Sequence, residues 1–521
     1  MLTLPGARGA VTRRRLRLAA VFVASGVAAV AGSFLVAGRG PTFVVTALAA
    51  TLLYLSPDGL LAWGIVTLGK YGRPLLVAGA VATSVLVFTG IAAGATVAAD
   101  RLHRKRPDSL FAVGFLQAAV TFALTINPLS SVAAGFAGGL TVALAGAAVT
   151  DRESIPSRRG VLKSVGTAAA AIGAGYFLAP RPDAVDPDSA SISDANVEAM
   201  LQAADERSID VPGLEPLVSE DFYQVDINTS TPVVDREEWS LTIEGDASPL
   251  TIDYEELRAR EAQHRFVTLR CVSDELNGYT MDTALWTGVP IDDLLEEADA
   301  PESCCVFLEA EDGYYQAFPR EALANGFLAW GMNGKVLPRG HGHPARALIP
   351  GHWGEINVKW LSRIEIREEP ATGYWEERGW AGTGPVETIA KLHSIETSDD
   401  GTVVVGGHAY AGVRGIDRVE LSRDGGETWA EATLSDRLPG SVPAVDGDGD
   451  GNSDGNSDGD ASPIESVAED AWRMWCFEYQ ADSPHEVTVR AIEPDGTVQP
   501  KEETDSFPSG ATGWVTRSVD V

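Results

Sequence analysis

The sequence predicts a multi-domain chain: an α-helical membrane bundle, then an α+β domain, then a β-sandwich. Long apolar runs fill the first third, mixed strand-like and helix-like segments follow, and short alternating strands fill the last part. Charge divides the chain in the same way. Residues 1–180 contain 16 Lys and Arg but 5 Asp and Glu, whereas the remainder contains 24 basic and 68 acidic residues. A basic apolar part and a very acidic part indicate two different solvents.

The predicted membrane domain, residues 1–180, contains six apolar runs. They lie near 17–37, 43–68, 74–99, 109–126, 129–149 and 161–179. A crossing needs about 20 mostly apolar residues. The run 43–68 is interrupted by Ser56-Pro57-Asp58-Gly59, so we interpret it as a hairpin on the outer face. The other five runs are predicted to cross the membrane.

Basic clusters set the predicted orientation, because Lys and Arg are enriched in cytoplasmic loops. The clusters around Arg13–Arg17, Arg101–Arg106 and Arg158–Arg159 all fall inside if the chain crosses five times with its N-terminus in the cytoplasm. We therefore expect a multi-pass protein of the cell membrane whose acidic part is extracytoplasmic. No crossing contains a histidine and no Cys-x-x-Cys-His occurs, so no haem is expected in this chain.

The segments after the membrane domain divide into three. Residues 181–215, rich in Asp, Ala, Ser and Pro, are expected to form a linker with a helix near 194–206. Residues 216–370 mix both kinds of element, which favours an α+β domain. The expected strands are Trp239–Glu244, Phe266–Cys271, Cys304–Ala310 and Arg363–Arg367. The expected helices are Tyr254–Ala259, Ile291–Ala298 and Arg320–Asn325.

Residues 386–521 are predicted to form the β-sandwich. The expected strands are Ala390–Thr397, Thr402–Ala409, Ile416–Ser422, Trp429–Leu434, Trp472–Tyr479 and His485–Ile492. An acidic loop, 440–462, interrupts them. Its core, Asp446–Asp460, partly matches a calcium-binding loop but has Ser457 where a glutamate is needed. We interpret the tract as a solvated insertion, with calcium binding as the alternative.

Four cysteines are present, and they do not form a disulfide framework pattern. Cys304 and Cys305 are adjacent in an expected strand and should face opposite ways as packed thiols. Cys476 is expected in the sandwich core. Cys271 differs, because it stands at a strand end before a polar loop, where a thiolate can reach a metal or substrate. The alternative for Cys271 is a buried free thiol that packs as a small hydrophobe.

A second cluster of candidate residues follows at 341–359. Arg346 offers a planar fork suited to phosphate, Lys359 offers a compact charge, and His341 can donate or accept a hydrogen bond. The Gly351–Gly354 turn allows a ligand to approach the backbone closely. The alternative is that these are ordinary surface cations beside a turn.

An ordered series of motifs connects these candidates. It comprises Phe222-Tyr223, Trp239–Gly245, the Cys271 segment, Asp312-Gly313-Tyr314, Met332-Asn333-Gly334, His341–Arg346, Ile349-Pro350-Gly351 and Val358–Leu361. From about 200 to 521 the chain resembles the sulfite oxidase family of molybdopterin-dependent oxidoreductases. The resemblance implies a molybdenum–molybdopterin cofactor, with Cys271 as the protein ligand to molybdenum. It further implies cofactor contacts from a set of residues: Tyr223, Cys271, Ser273, His341, Arg346, Gly354 and Lys359.

The resemblance also covers the C-terminal domain and suggests a catalytic set. Gly412–Leu421, Trp429 and Trp472-Arg473 resemble the immunoglobulin-like dimerisation domain of the family, which implies a homodimer. The catalytic candidates beside Cys271 are Arg270 and Trp380. Ser157–Lys163 resembles a twin-arginine signal, which would export a domain already folded around its cofactor. The alternative is two ordinary cytoplasmic arginines before the last crossing.

At three positions the chain differs from the sulfite-oxidising members of the family, and these differences bear on the substrate. Sulfite-oxidising members have arginines where this chain has Gln224 and Leu276, and a tyrosine where it has Trp380. A pocket that lacks two cations holds a dianion poorly, although Arg270, Arg378 or Arg414 could compensate in space. The predicted reaction is two-electron oxygen-atom transfer, with sulfite possible and a neutral sulfoxide an equally good substrate.

The sequence also bears on alternative functions and on the partners of the protein. The altered pocket leaves a binding or assembly module as the alternative to an enzyme, and a transporter is weakly supported because the crossings contain few ionisable residues. Electrons are expected to pass to or from a separate redox protein or quinone, and no nucleic-acid partner is expected. The acidic excess of the exported part predicts adaptation to high salt.

Overall fold

The structure is a computed structural model that describes residues 5–38, 40, 42–57, 64, 68, 71–101, 106–145, 158–179, 191–227, 231–444 and 466–521. It divides into two compact units. One comprises Met1–Asp186 with Asp226–Pro232, and the other comprises Pro187–Val225 with Val233–Val521. The tract Asp446–Asp460 lies outside the described residues, as do Ser157 of the twin-arginine-like segment and most of 58–70.

The first unit is helical. Its described helices are α1 (Pro5–Ala37), α2 (Val44–Leu55), α3 (Gly72–Arg101), α4 (Arg106–Thr125), α5 (Pro128–Leu144) and α6 (Arg158–Leu178). Three segments are long and apolar enough to cross a membrane: Arg15–Ala37, Pro74–Ala99 and Arg158–Leu178. The apolar parts of α4 and α5, Phe111–Thr125 and Pro128–Leu144, are shorter than a full crossing. The structure therefore supports three of the five expected crossings by length, and the orientation stays a prediction.

Small and polar residues line the contacts between these helices. Gly114 and Gly135 face each other across α4 and α5 so closely that a Cβ atom at Gly114 would lie 2.9 Å from the Gly135 carbonyl oxygen. Gln117 is buried, and its amide donates to the Ser25 hydroxyl and the Phe88 carbonyl, each at 3.2 Å. Close backbones and interhelical hydrogen bonds are typical of packed helices in lipid.

The second unit begins inside the expected linker. Residues 195–207 form helix α7 (Ala195–Arg207), close to the expected helix. Its apolar side is buried at Val197 and Met200, so this part of the expected linker is built into the second unit. Asp194 caps the helix and also contacts buried His264, with a 2.9 Å distance between carboxylate oxygen and ring nitrogen.

Two sheets form the α+β domain. Its strands are β1 (Ser240–Gly245), β2 (Leu250–Asp253), β3 (Gln263–Arg270), β4 (Met281–Pro290), β5 (Cys305–Ala310), β6 (Tyr315–Pro319), β7 (Phe327–Met332), β8 (Lys335–Val336), β9 (Arg346–Leu348) and β10 (Leu361–Arg367). One sheet has the order β2-β1-β10-β5-β6. In the other, β3-β4-β7-β8 are adjacent and β9 pairs with β7. Short helices α8 (Tyr254–Arg258) and α9 (Ile291–Glu297) confirm two of the expected helices, and Arg320–Asn325 forms a 3₁₀ helix.

The described part of the C-terminal domain contributes ten further strands. They are β11 (Ile389–Ala390), β12 (Ser394–Thr397), β13 (Thr402–Tyr410), β14 (Arg418–Ser422), β15 (Ala430–Glu431), β16 (Thr433–Leu434), β17 (Val442–Pro443), β18 (Arg473–Gln480), β19 (His485–Ile492) and β20 (Val515–Val519). One sheet contains β11, β13, β18 and β16, with β12 on β13, and the other has the order β15-β14-β19-β20. Strand β17 leaves the sandwich and pairs with β3, placing Val442 opposite His264. The C-terminal domain thus extends a sheet of the α+β domain.

The cysteines correct one expectation. Cys304 and Cys305 form a disulfide with each other and are not packed thiols. The expectation failed because strand β5 begins only at Cys305, so Cys304 lies in a bend where the alternation of strand side chains does not apply. Cys271 and Cys476 are free, and Cys476 is half-buried.

Candidate functional site

Cys271 begins a tight loop between two neighbouring strands. Strand β3 ends at Arg270 and β4 starts at Met281, and the Cys271 amide donates to the Thr280 carbonyl at 2.9 Å, which closes the loop. The thiol is half-buried and lies 3.2 Å from the Ser273 hydroxyl. Burial raises the pKa of the Cys271 thiol, and the Ser273 hydrogen bond partly offsets this. A cation bound there would favour the thiolate.

Gly354 faces this cysteine across the site. A Cβ atom added at Gly354 would lie 2.8 Å from the Tyr223 hydroxyl oxygen, 3.2 Å from the Arg270 carbonyl oxygen and 3.5 Å from the Cys271 Cα. The glycine therefore leaves room that any side chain would fill. Three expected site residues, Cys271, Tyr223 and Gly354, meet at this point.

The segment Phe222–Val225 connects the cysteine to the basic residues. Phe222 packs edge-on against the His341 ring, with 5.5 Å between ring centroids. At the other end of the segment, the Val225 carbonyl accepts a hydrogen bond of 2.8 Å from the Lys359 ammonium. The charges of both Cys271 and Arg346 contribute to the pKa of Tyr223, which burial raises well above its usual value. One segment of chain thus borders both groups of expected residues.

Arg346 and Lys359 lie close together around a left-handed glycine, Gly342, which follows His341. Gly342 has a φ of +115°, and a Cβ there would lie 3.0 Å from the Arg346 Cβ and 3.1 Å from the Lys359 Cβ. Arg346 is 4% exposed and donates to the carbonyls of His341 and Asn357 at 3.2 and 3.0 Å. Lys359 also donates to the Gly340 carbonyl at 3.2 Å. Fixed cations and backbone groups of this kind suit an anionic, phosphate-bearing ligand.

Arg270 is held away from solvent by contacts with protein groups. Its side chain is fully buried and lies over the Trp353 ring, with 4.8 Å between the guanidinium carbon and the ring centroid. It pairs with Asp274 and donates to the carbonyls of Glu387 and Ala511. A catalytic role for Arg270 stays a prediction, and its contacts favour support of the loop.

Trp380 lies beside the C-terminal domain. It is 4% exposed and packs edge-on against Phe507, with 5.0 Å between ring centroids. Its indole nitrogen is buried without an acceptor among the described residues. The catalytic role expected for Trp380 is likewise still a prediction.

The positive charge of the site depends on the positions where sulfite-oxidising members have arginines and on the arginines that could compensate. Gln224 is exposed and its side chain lies against Gly340, whereas Leu276 is half-buried. Arg414 pairs with Glu493 at 3.0 Å, and Arg378 lies 3.8 Å from Glu377 and donates to the Tyr374 carbonyl. Like Arg270, these arginines each lie within 4 Å of a carboxylate.

Sequence reasoning missed two carboxyl groups beside the site. Asp282 accepts the Tyr223 amide at 2.7 Å and the Ser219 hydroxyl at 2.8 Å, and burial raises its pKa to about 7. Glu355 follows Gly354 and is 8% exposed; burial, and then the neighbouring Glu376, raise its pKa to about 9. Both lie next to recognised motif residues, but burial of a carboxyl group leaves no signature in sequence.

Comparisons with known proteins agree with this geometry. Residues 228–375 match the model of the oxidoreductase molybdopterin-binding domain. Residues 386–512 match the model of the Mo-co oxidoreductase dimerisation domain. The class is therefore that of molybdopterin-binding oxidoreductases. Within it, the chain belongs to the sulfite oxidase family.

Individual relatives resemble only part of the chain. Mitochondrial sulfite oxidase of Rattus norvegicus is 27% identical over 253 residues, which is 39% of this chain and 46% of the relative. Sulfite oxidase of Arabidopsis thaliana is 25% identical over 329 residues, 52% of this chain and 79% of the relative. The structure of the sulfane dehydrogenase SoxCD from Paracoccus pantotrophus has a TM-score of 0.48 at 20% identity, covering 60% of this chain and 86% of that one. The chain spans less than half the length of the rat enzyme.

The residues present fit a molybdenum–molybdopterin cofactor. Cys271 can supply one soft thiolate donor to a bound metal. Gly354 provides a cradle that a Cβ atom would fill, Arg346 and Lys359 provide charge for a phosphate, and His341 can donate a hydrogen bond. The match of the domain to the family supports the cofactor itself, and which residues contact it stays our prediction.

Proposed function

We propose that the chain is a membrane-anchored molybdopterin-dependent oxidoreductase that performs two-electron oxygen-atom transfer at a Cys271-bound molybdenum. The convergence of Cys271, Tyr223 and Gly354 at one point carries the proposal. When bound, the cofactor supplies the redox chemistry and the transferable oxygen. Cys271 would hold the metal, Arg346, Lys359 and His341 would bind the phosphate, and the Tyr223 hydroxyl would donate a hydrogen bond towards the bound group.

A substrate of low charge is favoured. Gln224 and Leu276 bring no charge to the two positions where sulfite-oxidising members have arginines. Arg270, Arg378 and Arg414, the arginines that could compensate, each pair with a carboxylate, which supports a site of low positive charge. The buried carboxyl group of Glu355 adds no positive charge either. A neutral sulfoxide loses less hydration energy on entering such a pocket than a sulfite dianion does.

The setting of the site follows from the rest of the chain. Helices of membrane-spanning length support a membrane anchor, and the basic clusters favour an extracytoplasmic catalytic domain. The dimerisation domain supports a homodimer formed through residues 386–512. Electrons would be exchanged with a separate redox protein or with quinone.

The test is a comparison of substrates with the full-length protein purified in detergent. Sulfoxide reduction is followed with a reduced dye and sulfite oxidation with an artificial acceptor, and Cys271→Ser serves as the inactive control. We expect a higher kcat/KM for the sulfoxide. A higher kcat/KM for sulfite would overturn the proposed substrate. Equal rates of turnover in the wild type and in Cys271→Ser would overturn the proposed role of Cys271 in catalysis.

A further inference from the structure

Asp274 is the centre of the loop that presents Cys271. One carboxylate oxygen, Oδ1, accepts the Thr280 amide at 3.1 Å and the Thr280 hydroxyl at 2.9 Å. The Asp274 amide in turn donates to the Cys271 carbonyl at 3.0 Å. The position of the Asp274 carboxylate therefore determines how both ends of the loop are held.

The other oxygen, Oδ2, receives two cations from outside the loop. Arg270 donates through Nε at 3.1 Å, and Lys391 donates through Nζ at 2.6 Å. All three side chains are completely buried. Burial would raise the pKa of Asp274, but the charges of Lys391 and Arg270 hold its pKa below the usual value.

Lys391 comes from the C-terminal domain, directly after strand β11. Besides Asp274, its ammonium donates to the Gly278 carbonyl at 2.8 Å, so it touches the loop twice. The next residue, Leu392, exchanges two hydrogen bonds of 2.8 Å with the Asn277 side chain. The loop is thus held from the sandwich side by a short run of neighbouring residues.

We propose that Lys391 is a positioning residue of the cofactor site, which holds the Cys271 loop in place through Asp274. The C-terminal domain is then part of the site as well as a dimerisation element. This inference rests on the proposed role of Cys271 as the metal ligand. Without Lys391, the Asp274 Oδ2 keeps only Arg270 as a cationic donor and the Gly278 carbonyl loses its lysine donor, so two of the contacts that hold the loop disappear.

The test uses the full-length protein in detergent and has two readouts. Hydrogen–deuterium exchange reports on residues 271–280, and molybdenum retention against a chelator reports on the site. Lys391→Met is compared with Lys501→Met, a lysine on the surface of the same domain. We expect faster exchange confined to 271–280 and roughly tenfold faster molybdenum loss for Lys391→Met, since partners of ligand segments typically have effects of that size. Lys501→Met should match the wild type.

One further variant keeps the test decisive if Lys391→Met folds poorly. Lys391→Arg retains the charge and should retain the molybdenum. Wild-type exchange in 271–280 of Lys391→Met, or exchange raised evenly over the whole unit, overturns the proposal. If the wild type itself holds no molybdenum, the proposed function fails, and the role of Lys391 is decided by the exchange alone.

Discussion

Gly354 and Tyr223 lie so close that a methyl group on the glycine would come 2.8 Å from the tyrosine hydroxyl oxygen. Gly354→Ala should therefore push the Tyr223 ring out of place. We expect cofactor content to fall several-fold, while the free energy of unfolding changes by about 1–3 kcal/mol. Molybdenum analysis and thermal unfolding measure the two effects. Gly384→Ala is the matched control, because a Cβ there meets nothing within 4 Å, and equal cofactor content in both variants would contradict this prediction.

Gln224→Arg should restore affinity for an anionic substrate. The side chain is exposed beside Gly340, so a guanidinium can be placed there without burial. A charged hydrogen bond contributes about 1.5 kcal/mol, so kcat/KM for sulfite should rise roughly tenfold. Gln224→Met tests the effect of side-chain length alone. No gain for sulfite in the arginine variant would mean that position 224 does not face the substrate.

Glu355 predicts a specific pH dependence of stability. Burial, with Glu376 nearby, raises its pKa to about 9, so the folded protein keeps the proton while the unfolded chain loses it above its ordinary pKa. The unfolded state then binds fewer protons, and stability falls as pH rises between those two values. In Glu355→Gln this decline should be smaller between about pH 5 and about pH 8. Thermal unfolding at several pH values measures this decline. If stability falls with pH equally in the variant and the wild type, Glu355 is not a buried protonated acid.

The acidic soluble unit should require salt. Its many like charges repel one another, and this repulsion is screened only at high ionic strength. We expect the midpoint of thermal unfolding of that unit to rise steadily from about 0.1 M to about 2 M potassium chloride. A midpoint that does not change with salt would remove the argument for halophilic adaptation.

Short-range patterns in the sequence predict much of this fold. Alternation and turn residues predict strands such as His485–Ile492, and the family motifs predict the residues that meet at Gly354. Strand β4 was not predicted, because nearly all of Met281–Pro290 is buried and therefore does not alternate. Three of the five expected crossings are long enough among the described residues, whereas the apolar stretches of α4 and α5 are too short to span by themselves.

Pairings between distant residues could not be predicted. Asp274 and Lys391 are 117 residues apart, and each alone resembles an ordinary surface charge. Strand β17 has only two residues, and its pairing with β3 is determined by tertiary structure and not by a local sequence pattern. The Cys304–Cys305 disulfide depended on where strand β5 begins, and element boundaries are poorly determined by sequence patterns.

The most direct test of the central claim is the molybdenum and pterin content of the purified full-length protein, with X-ray absorption of the metal, beside Cys271→Ser. The account predicts about one molybdenum and one pterin per folded chain, with a protein sulfur ligand that is lost from the spectrum of the variant. Well-folded wild-type protein without molybdenum and pterin would contradict it and would favour a binding or assembly module that retains the fold.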